Sequence, residues 1–301
     1  MAYRRPGPRE YFLSTRPYSL LNSVSRAVVG GVAAMATSTG FRPLPIFLTV
    51  LVAVGVAAFQ AAENLLNDYF DTRHGFDSPE APAATLRGHS IFTYGLSLRE
   101  VRDLGLALLI AGSSMVIIAT VVLPRPLLPG FLALGGVLLW GYNGRPLGLK
   151  YRGLGELDVF LAAIVMVVGG YYTVAGWLTL HIVILSVPVA LLSSSVALAD
   201  DIRDLEWDRA HGVDTLAVRA GAAGSRALYT IMVLLAVLLP IYLLGLPWGL
   251  LSLLSIPMVV PLVLSTWGLG FVSTASAVRL RFYLTIAFSA AYAAAIAATV
   301  R

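Results

Sequence analysis

Long apolar runs separated by short polar stretches dominate the chain from about residue 20 to its end. A helix needs about 20 apolar residues to cross the ~30 Å of hydrocarbon in a bilayer. By that measure nine spans are predicted, at 20–39, 44–66, 104–123, 127–142, 159–178, 180–199, 227–244, 249–271 and 282–300. The 127–142 run is the shortest of them. Pro188, Pro240, Pro257 and Pro261 fall inside runs and are expected to kink their helices rather than end them. The pattern therefore predicts an all-α polytopic membrane protein, with residues 1–301 forming one domain.

The polar stretches test the number of spans. If successive connections alternate sides, one side collects most of the bases, from Arg4 and Arg5 through Arg145 and Lys150 to Arg279 and Arg281. The other side receives Arg42, Arg125 and Arg301, and Arg26 falls within the first span. The positive-inside rule then puts the basic side and the N-terminus in the cytoplasm. Acids do not obey that rule, yet all 16 Asp and Glu residues lie on or near the same side, and none follows Asp214. Acids gathered on one face beside most of the bases point to a site on the cytoplasmic side.

Composition narrows the class further. The chain is 58% hydrophobic and 12% charged, with mean hydropathy +0.82. Soluble domains carry about 25% charged residues, so a soluble enzyme, a disordered chain and a nucleic-acid module are all excluded. With no cysteine, thiolate chemistry and cysteine-ligated metals are excluded as well.

Two acidic clusters carry the chemistry. Gln60, Glu63, Asn64, Asn67, Asp68 and Asp71 recur every three or four residues, forming one polar stripe that continues an apolar span. Asp200, Asp201, Asp204 and Asp208 repeat this at the end of the sixth span. Stacked carboxylates repel one another and need a countercharge, for which a divalent cation is the usual solution. Oxygen ligands without cysteine favour Mg²⁺. Arg73, Arg87, Arg145, Lys150, Arg203 and Arg209 lie near these acids and suit an anionic, metal-bridged substrate. A diphosphate on a lipid tail fits best, because its tail needs a membrane-buried channel. Carboxylates serving a cation-coupled transporter would instead be expected near the bilayer midplane.

Asp71-Thr-Arg-His-Gly-Phe-Asp77 and Asp208-Arg-Ala-His-Gly-Val-Asp214 share the pattern D-x-x-H-G-apolar-D. This echo suggests two four-helix repeats, about 18–150 and 151–275, with a ninth helix at about 280–300 and the clusters facing each other across a central cavity. The connection from Asp77 to Arg99 contains Pro79, Pro82 and Gly88 and is expected to cap the site, with Arg87 reaching inward.

Three segments now carry a family resemblance. Asn67-Asp68-Tyr69-Phe70-Asp71 with Gly75 and Asp77 resembles the first acidic motif of the UbiA superfamily of intramembrane prenyltransferases. Asp200-Asp201-Ile-Arg203-Asp204 through Asp208-Arg209 and Gly212 resembles the second, and Tyr142-Asn143-Gly144-Arg145-Pro146 through Lys150 resembles the basic connection between them. The position of Asp77 is similar to the 1,4-dihydroxy-2-naphthoate branch. The resemblance implies transfer of a polyprenyl group from a polyprenyl diphosphate to an aromatic quinone precursor, with release of diphosphate. It implies two Mg²⁺ ions, one held by Asn67, Asp68 and Asp71 and the other by Asp204 and Asp208, with Asp77 and Asp201 in support. Asp71, Asp204, Arg145 and Lys150 become the catalytic candidates. Arg73, Arg87, Tyr142 and Arg209 join Arg145 and Lys150 as substrate-binding candidates. An allylic cation would need a dry pocket, with Tyr69, Phe70, Tyr142, Tyr171 and Tyr172 as aromatic candidates. Other acceptors, or cyclisation of the donor itself, are compatible with the same motifs.

Overall fold

A computed structural model describes residues 6–270 and 272–299, and every regular element among them is helical. Arg4, Arg5 and Arg301 lie outside the described residues. The first half contains α1 (Pro8–Ser14), α2 (Pro17–Ala34, prolonged by a π turn to Thr39), α3 (Pro43–His74), α4 (Pro82–Leu86), α5 (Leu98–Val122) and α6 (Leu128–Asn143). The second contains α7 (Gly155–Ala175), α8 (Leu180–Ala210), α9 (Leu216–Leu244), α10 (Ile256–Thr266) and α11 (Thr274–Thr299).

Among the described residues eight helical segments are long and apolar enough to cross a membrane. The difference from nine lies at α6, which has 16 residues. At 1.5 Å per residue that is about 24 Å, short of the ~30 Å of hydrocarbon. The span expected at 249–271 is also altered: a 3₁₀ helix, Trp248–Ser255, passes into α10, and Pro257 opens α10 instead of kinking it. Proline lacks an N–H and is preset for the first helical turn, so it favours a start there. Pro188, Pro240 and Pro261 do sit inside helices.

Helices α3 and α8 are the longest, at 32 and 31 residues. About 20 residues suffice for a crossing, so each has roughly ten left to carry its polar stripe beyond the apolar part. α2 is the central helix, packing on α3, α7 and α11, while α7 leads to α8 and α8 to α9. Lipid offers no hydrophobic drive between helices, so close packing must hold them together. Glycine permits this at the α2–α7 crossing. A Cβ on Gly30 would lie 2.0 Å from the Val167 carbonyl oxygen, and one on Gly170 would lie 2.7 Å from that of Ala27. Val29, Val167, Tyr171, Leu185, Leu192, Tyr229 and Phe288 fill the core around this crossing. A smaller cluster, Leu65, Leu66, Tyr69, Phe70, Leu96 and Val101, packs the end of α3 against α5.

Candidate active site

The repeated D-x-x-H-G pattern is first of all a way to stop a helix. Gly75 and Gly212 take left-handed φ values of 78° and 72°. The next residues, Phe76 and Val213, donate backbone N–H bonds of 2.9 Å to the carbonyls of Asp71 and Asp208. This is the return bond of a glycine C-cap, in which the glycine suffers no Cβ clash. The cap turns the chain sharply and leaves Asp71 and Asp208 on the last turns of α3 and α8. Trp207 Nε1 donates to the Phe76 carbonyl at 3.0 Å, tying the two helix ends together.

Between those ends lies a polar cavity of ≈60 Å³. Asn67, Asp71 and Asp77 line it from one side, Asp201, Asp204 and Asp208 from the other, and Arg87, Tyr142 and Lys150 also reach it. A second, largely apolar cavity of ≈300 Å³ adjoins it, and the two share Asn67, Arg87, Tyr142, Ala197 and Asp200 on their walls.

Charge balance in the polar cavity is tight. Lys150 Nζ lies 2.7 Å from Asp71 Oδ2, and the Tyr151 hydroxyl donates to the other oxygen. Burial alone would lower the Lys150 pKa, but Asp71 and Asp77 outweigh it and push it up. Burial and Asp71 both raise that of Tyr151. Asp77 faces His89, with Oδ2 and Nε2 3.3 Å apart. Burial would raise the Asp77 carboxyl, yet His89, Lys150 and Arg87 hold it down to about 2. On α8, Arg203 grips Asp204 through two N–H bonds of 2.6 Å and reaches Asp200 at 2.8 Å. Arg281 approaches Asp200 at 3.7 Å.

Four expected site residues stand elsewhere. Asp68 is fully buried and lines neither cavity; it pairs with Arg16 and accepts from Ser90 N and Oγ at 2.8 and 2.6 Å. One oxygen or nitrogen of Asp68, Asp77 and His89 lies within 4.8 Å of the others, but Arg16 and Ser90 already take up Asp68. Arg73 is exposed and donates to the Tyr69 hydroxyl at 2.7 Å. Arg145 is exposed and off both cavity walls. Arg209 is exposed and bonds Glu206 at 3.0 Å. Of the aromatic candidates, only Tyr142 lines a cavity; Tyr69, Phe70, Tyr171 and Tyr172 pack in hydrophobic clusters. Tyr18, Phe59, Phe131 and Phe282 line the larger chamber instead.

The segment between α3 and α5 folds over this region: α4 packs on α8 and α11, and Arg87 Nη2 reaches Asn67 Oδ1 at 3.3 Å. Arg16, His89 and Tyr151 reach the acids although no motif of the sequence marks them as site residues. Tyr151 adjoins Lys150 in sequence, a usable clue, whereas His89 and Arg16 lie in no motif and meet the acids only through the fold.

The sequence pattern of the UbiA prenyltransferase family matches residues 24–288. The chain belongs to the UbiA prenyltransferase family. It is accordingly a prenyltransferase, and its apolar helices make it an integral membrane protein. Over 264 residues it is 31% identical to the 1,4-dihydroxy-2-naphthoate octaprenyltransferase of Mycobacterium leprae, covering 83% of this chain and 82% of that protein. The UbiA homologue of Aeropyrum pernix has the same fold, with TM-score 0.66 at 19% identity over 93% of this chain and 97% of its own. The UbiA homologue of Archaeoglobus fulgidus, bound to DMAPP and Mg²⁺, superposes with TM-score 0.63 at 16% identity, covering 96% and 99%. Family membership removes the transporter alternative.

Proposed function

We propose that this UbiA protein transfers a polyprenyl group from a polyprenyl diphosphate to 1,4-dihydroxy-2-naphthoate, releasing diphosphate. The observation that carries this reading is the junction of the two cavities: a charged pocket shares Asn67, Arg87, Tyr142 and Asp200 with a larger, largely apolar chamber. An amphiphile with a diphosphate head and a prenyl tail matches both parts. The acceptor is suggested by the mycobacterial relative, whose name gives the naphthoate as its substrate.

The polar pocket suits Mg²⁺ on the chemistry of its donors. Asn67, Asp71 and Asp77 face Asp201, Asp204 and Asp208, an all-oxygen set with no sulfur ligand. One ion near each helix end is our reading, and the bound cations would supply positive charge to the departing diphosphate. The chain's own residues do the rest. Lys150 and Arg87 add fixed positive charge on the pocket wall, where developing negative charge is best stabilised. Tyr142 stands at the junction, and the rings of Tyr18, Phe59, Phe131 and Phe282 give the chamber a dry, weakly nucleophilic wall suited to an allylic cation.

Our topology reading keeps the N-terminus and the diphosphate pocket on the cytoplasmic side, since the bases cluster there. We also read α6 as a ninth, short crossing. Helices α2, α3, α5 and α6 would then match α7, α8, α9 and α10 as two repeats, with α11 appended.

The test is direct. Purified protein with Mg²⁺ and geranylgeranyl diphosphate should, only when dihydroxynaphthoate is present, release diphosphate and CO₂ and form a prenylated dihydroxynaphthalene seen by mass spectrometry. Product formed equally well without the acceptor would show cyclisation instead.

A further inference from the structure

Among the described residues no acid lies within ion-pair distance of the buried Arg26 guanidinium. It sits on α2, inside the first span, and is 5% exposed. Among the described residues its hydrogen-bond partners are weak: Ser23 Oγ at 3.5 Å and Met166 Sδ at 3.7 Å. Its Nε has none. Glu63, whose charge acts on it, already accepts a 2.6 Å bond from Gln60. A desolvated charge with unfilled donors is costly to keep and calls for an anion.

That anion is not the diphosphate, because Arg26 lines the apolar chamber and not the polar pocket. The same chamber is lined by two unfilled acceptors. Asn22 Oδ1 and Asp158 Oδ1 are both buried and accept no hydrogen bond. Asn22 is one turn before Arg26 on α2, and Asp158 is near the start of α7, which packs against it. The chamber thus presents unfilled guanidinium donors, two unfilled oxygen acceptors and, among its other lining residues, apolar side chains such as Val52, Phe59, Phe131 and Leu132. An aromatic acid carrying hydroxyl groups complements all three features: its carboxylate accepts, its O–H groups donate, and its ring is apolar.

We infer that Arg26 anchors the carboxylate of a hydroxylated aromatic acid inside the chamber, while Asn22 and Asp158 accept from its hydroxyls. This rests on the prenyl-transfer reading and names the binding group for its acceptor. The anchor selects acidic acceptors over neutral ones and holds the ring beside the prenyl chain.

The test compares two acceptors, 1,4-dihydroxy-2-naphthoate and 1,4-dihydroxynaphthalene, which lacks the carboxylate. Arg26→Gln should raise KM for the naphthoate at least tenfold and leave kcat/KM for the neutral diol within twofold. Arg26→Lys, which keeps the charge and guards against a folding defect, should fall between wild type and Arg26→Gln. Equal loss with both acceptors, or no change with either, would overturn the assignment. A binding arm separates this inference from the reaction on which it rests. Without donor, 2-naphthoate should raise the Tm of the wild-type protein but not of Arg26→Gln, whereas naphthalene should not distinguish them. If that difference appears while no prenylated product forms, the transfer reading fails and the anchor stands. If 2-naphthoate shifts neither protein, the anchor fails whatever the turnover.

Discussion

The ends of α3 and α8 share a sequence pattern and a glycine cap, yet their acids are neutralised in opposite ways. Asp68 and Asp71 near the end of α3, and Asp77 just beyond it, take partners from other parts of the chain: Arg16 for Asp68, Lys150 for Asp71, His89 for Asp77. On α8, Arg203 of the same helix serves both Asp200 and Asp204, with Arg281 of α11 alongside. Among the described residues no base lies within ion-pair distance of Asp201 or Asp208. The last acids of the two patterns also diverge. Asp77 turns inward to His89, whereas Asp214 is exposed and pairs with Arg219 at 2.7 Å. Asp68 and Asp71 therefore tie distant segments to the end of α3, while on α8 the closest ion pairs of Asp200 and Asp204 come from Arg203 of the same helix.

The largest expected effect treats the two ends alike. Chelation of divalent cations should abolish transfer, and Asp71→Asn and Asp204→Asn should each lower kcat/KM by about 100-fold or more. Full turnover in either variant would remove that helix end from the site.

Stability should separate the ends where activity does not. Asp68→Ala leaves Arg16 buried without its acid and should destabilise the protein by about 3–5 kcal/mol. Asp208→Ala breaks no ion pair and should cost less than about 1 kcal/mol while still impairing turnover. Denaturation in detergent, read beside the transfer assay, checks both; equal losses of stability would erase the distinction.

A smaller effect compares the bases. Lys150→Met removes a charge facing the pocket from another part of the chain and should raise KM for the prenyl diphosphate about tenfold, ~1.4 kcal/mol. Arg203→Gln frees Asp200 and Asp204 and should alter the Mg²⁺ concentration needed for half-maximal rate more than it alters that KM. A Mg²⁺ titration of both variants decides whether α8 is the more adaptable end.

The smallest effects fall on Arg73, Arg145 and Arg209. Each is exposed and outside the polar pocket, so substitution by Gln should change stability by no more than about 0.5 kcal/mol. Their kcat/KM values should stay within about twofold of wild type, and a tenfold loss in any one would bring that residue back to the site.

Much of this architecture was legible in the chain. Apolar runs located the crossing helices because lipid forces backbone groups to bond within their own helix. Helical spacing placed Asn67 and Asp71, and Asp201, Asp204 and Asp208, on common faces. Where the structure departs from the expected positions, the cause is physical. Asp68 follows Asn67 and shares the acidic motif, but neighbouring helix positions point about 100° apart, so the fold could use one for the pocket and the other for Arg16. Arg73, Arg145 and Arg209 are near the acids in sequence, and long basic side chains reach water easily from helix ends. The 127–142 run was apolar enough for a span, but its helix ends at Asn143 after 16 residues.

Sequence alone determined what local physics determines: an apolar helical chain, two acidic helix ends stopped by glycine, an oxygen-rich donor set and scarce charge gathered near it. Tertiary structure decided which carboxylates face one another and which are taken up by Arg16, Lys150 and His89. It also left polar atoms of Arg26, Asn22 and Asp158 unfilled in one chamber. Those outcomes depend on contacts between residues far apart in the chain, such as 16 with 68, 71 with 150 and 77 with 89. No local spacing encodes them, because the packing of α2, α3, α7 and α8 sets the distances between those charges.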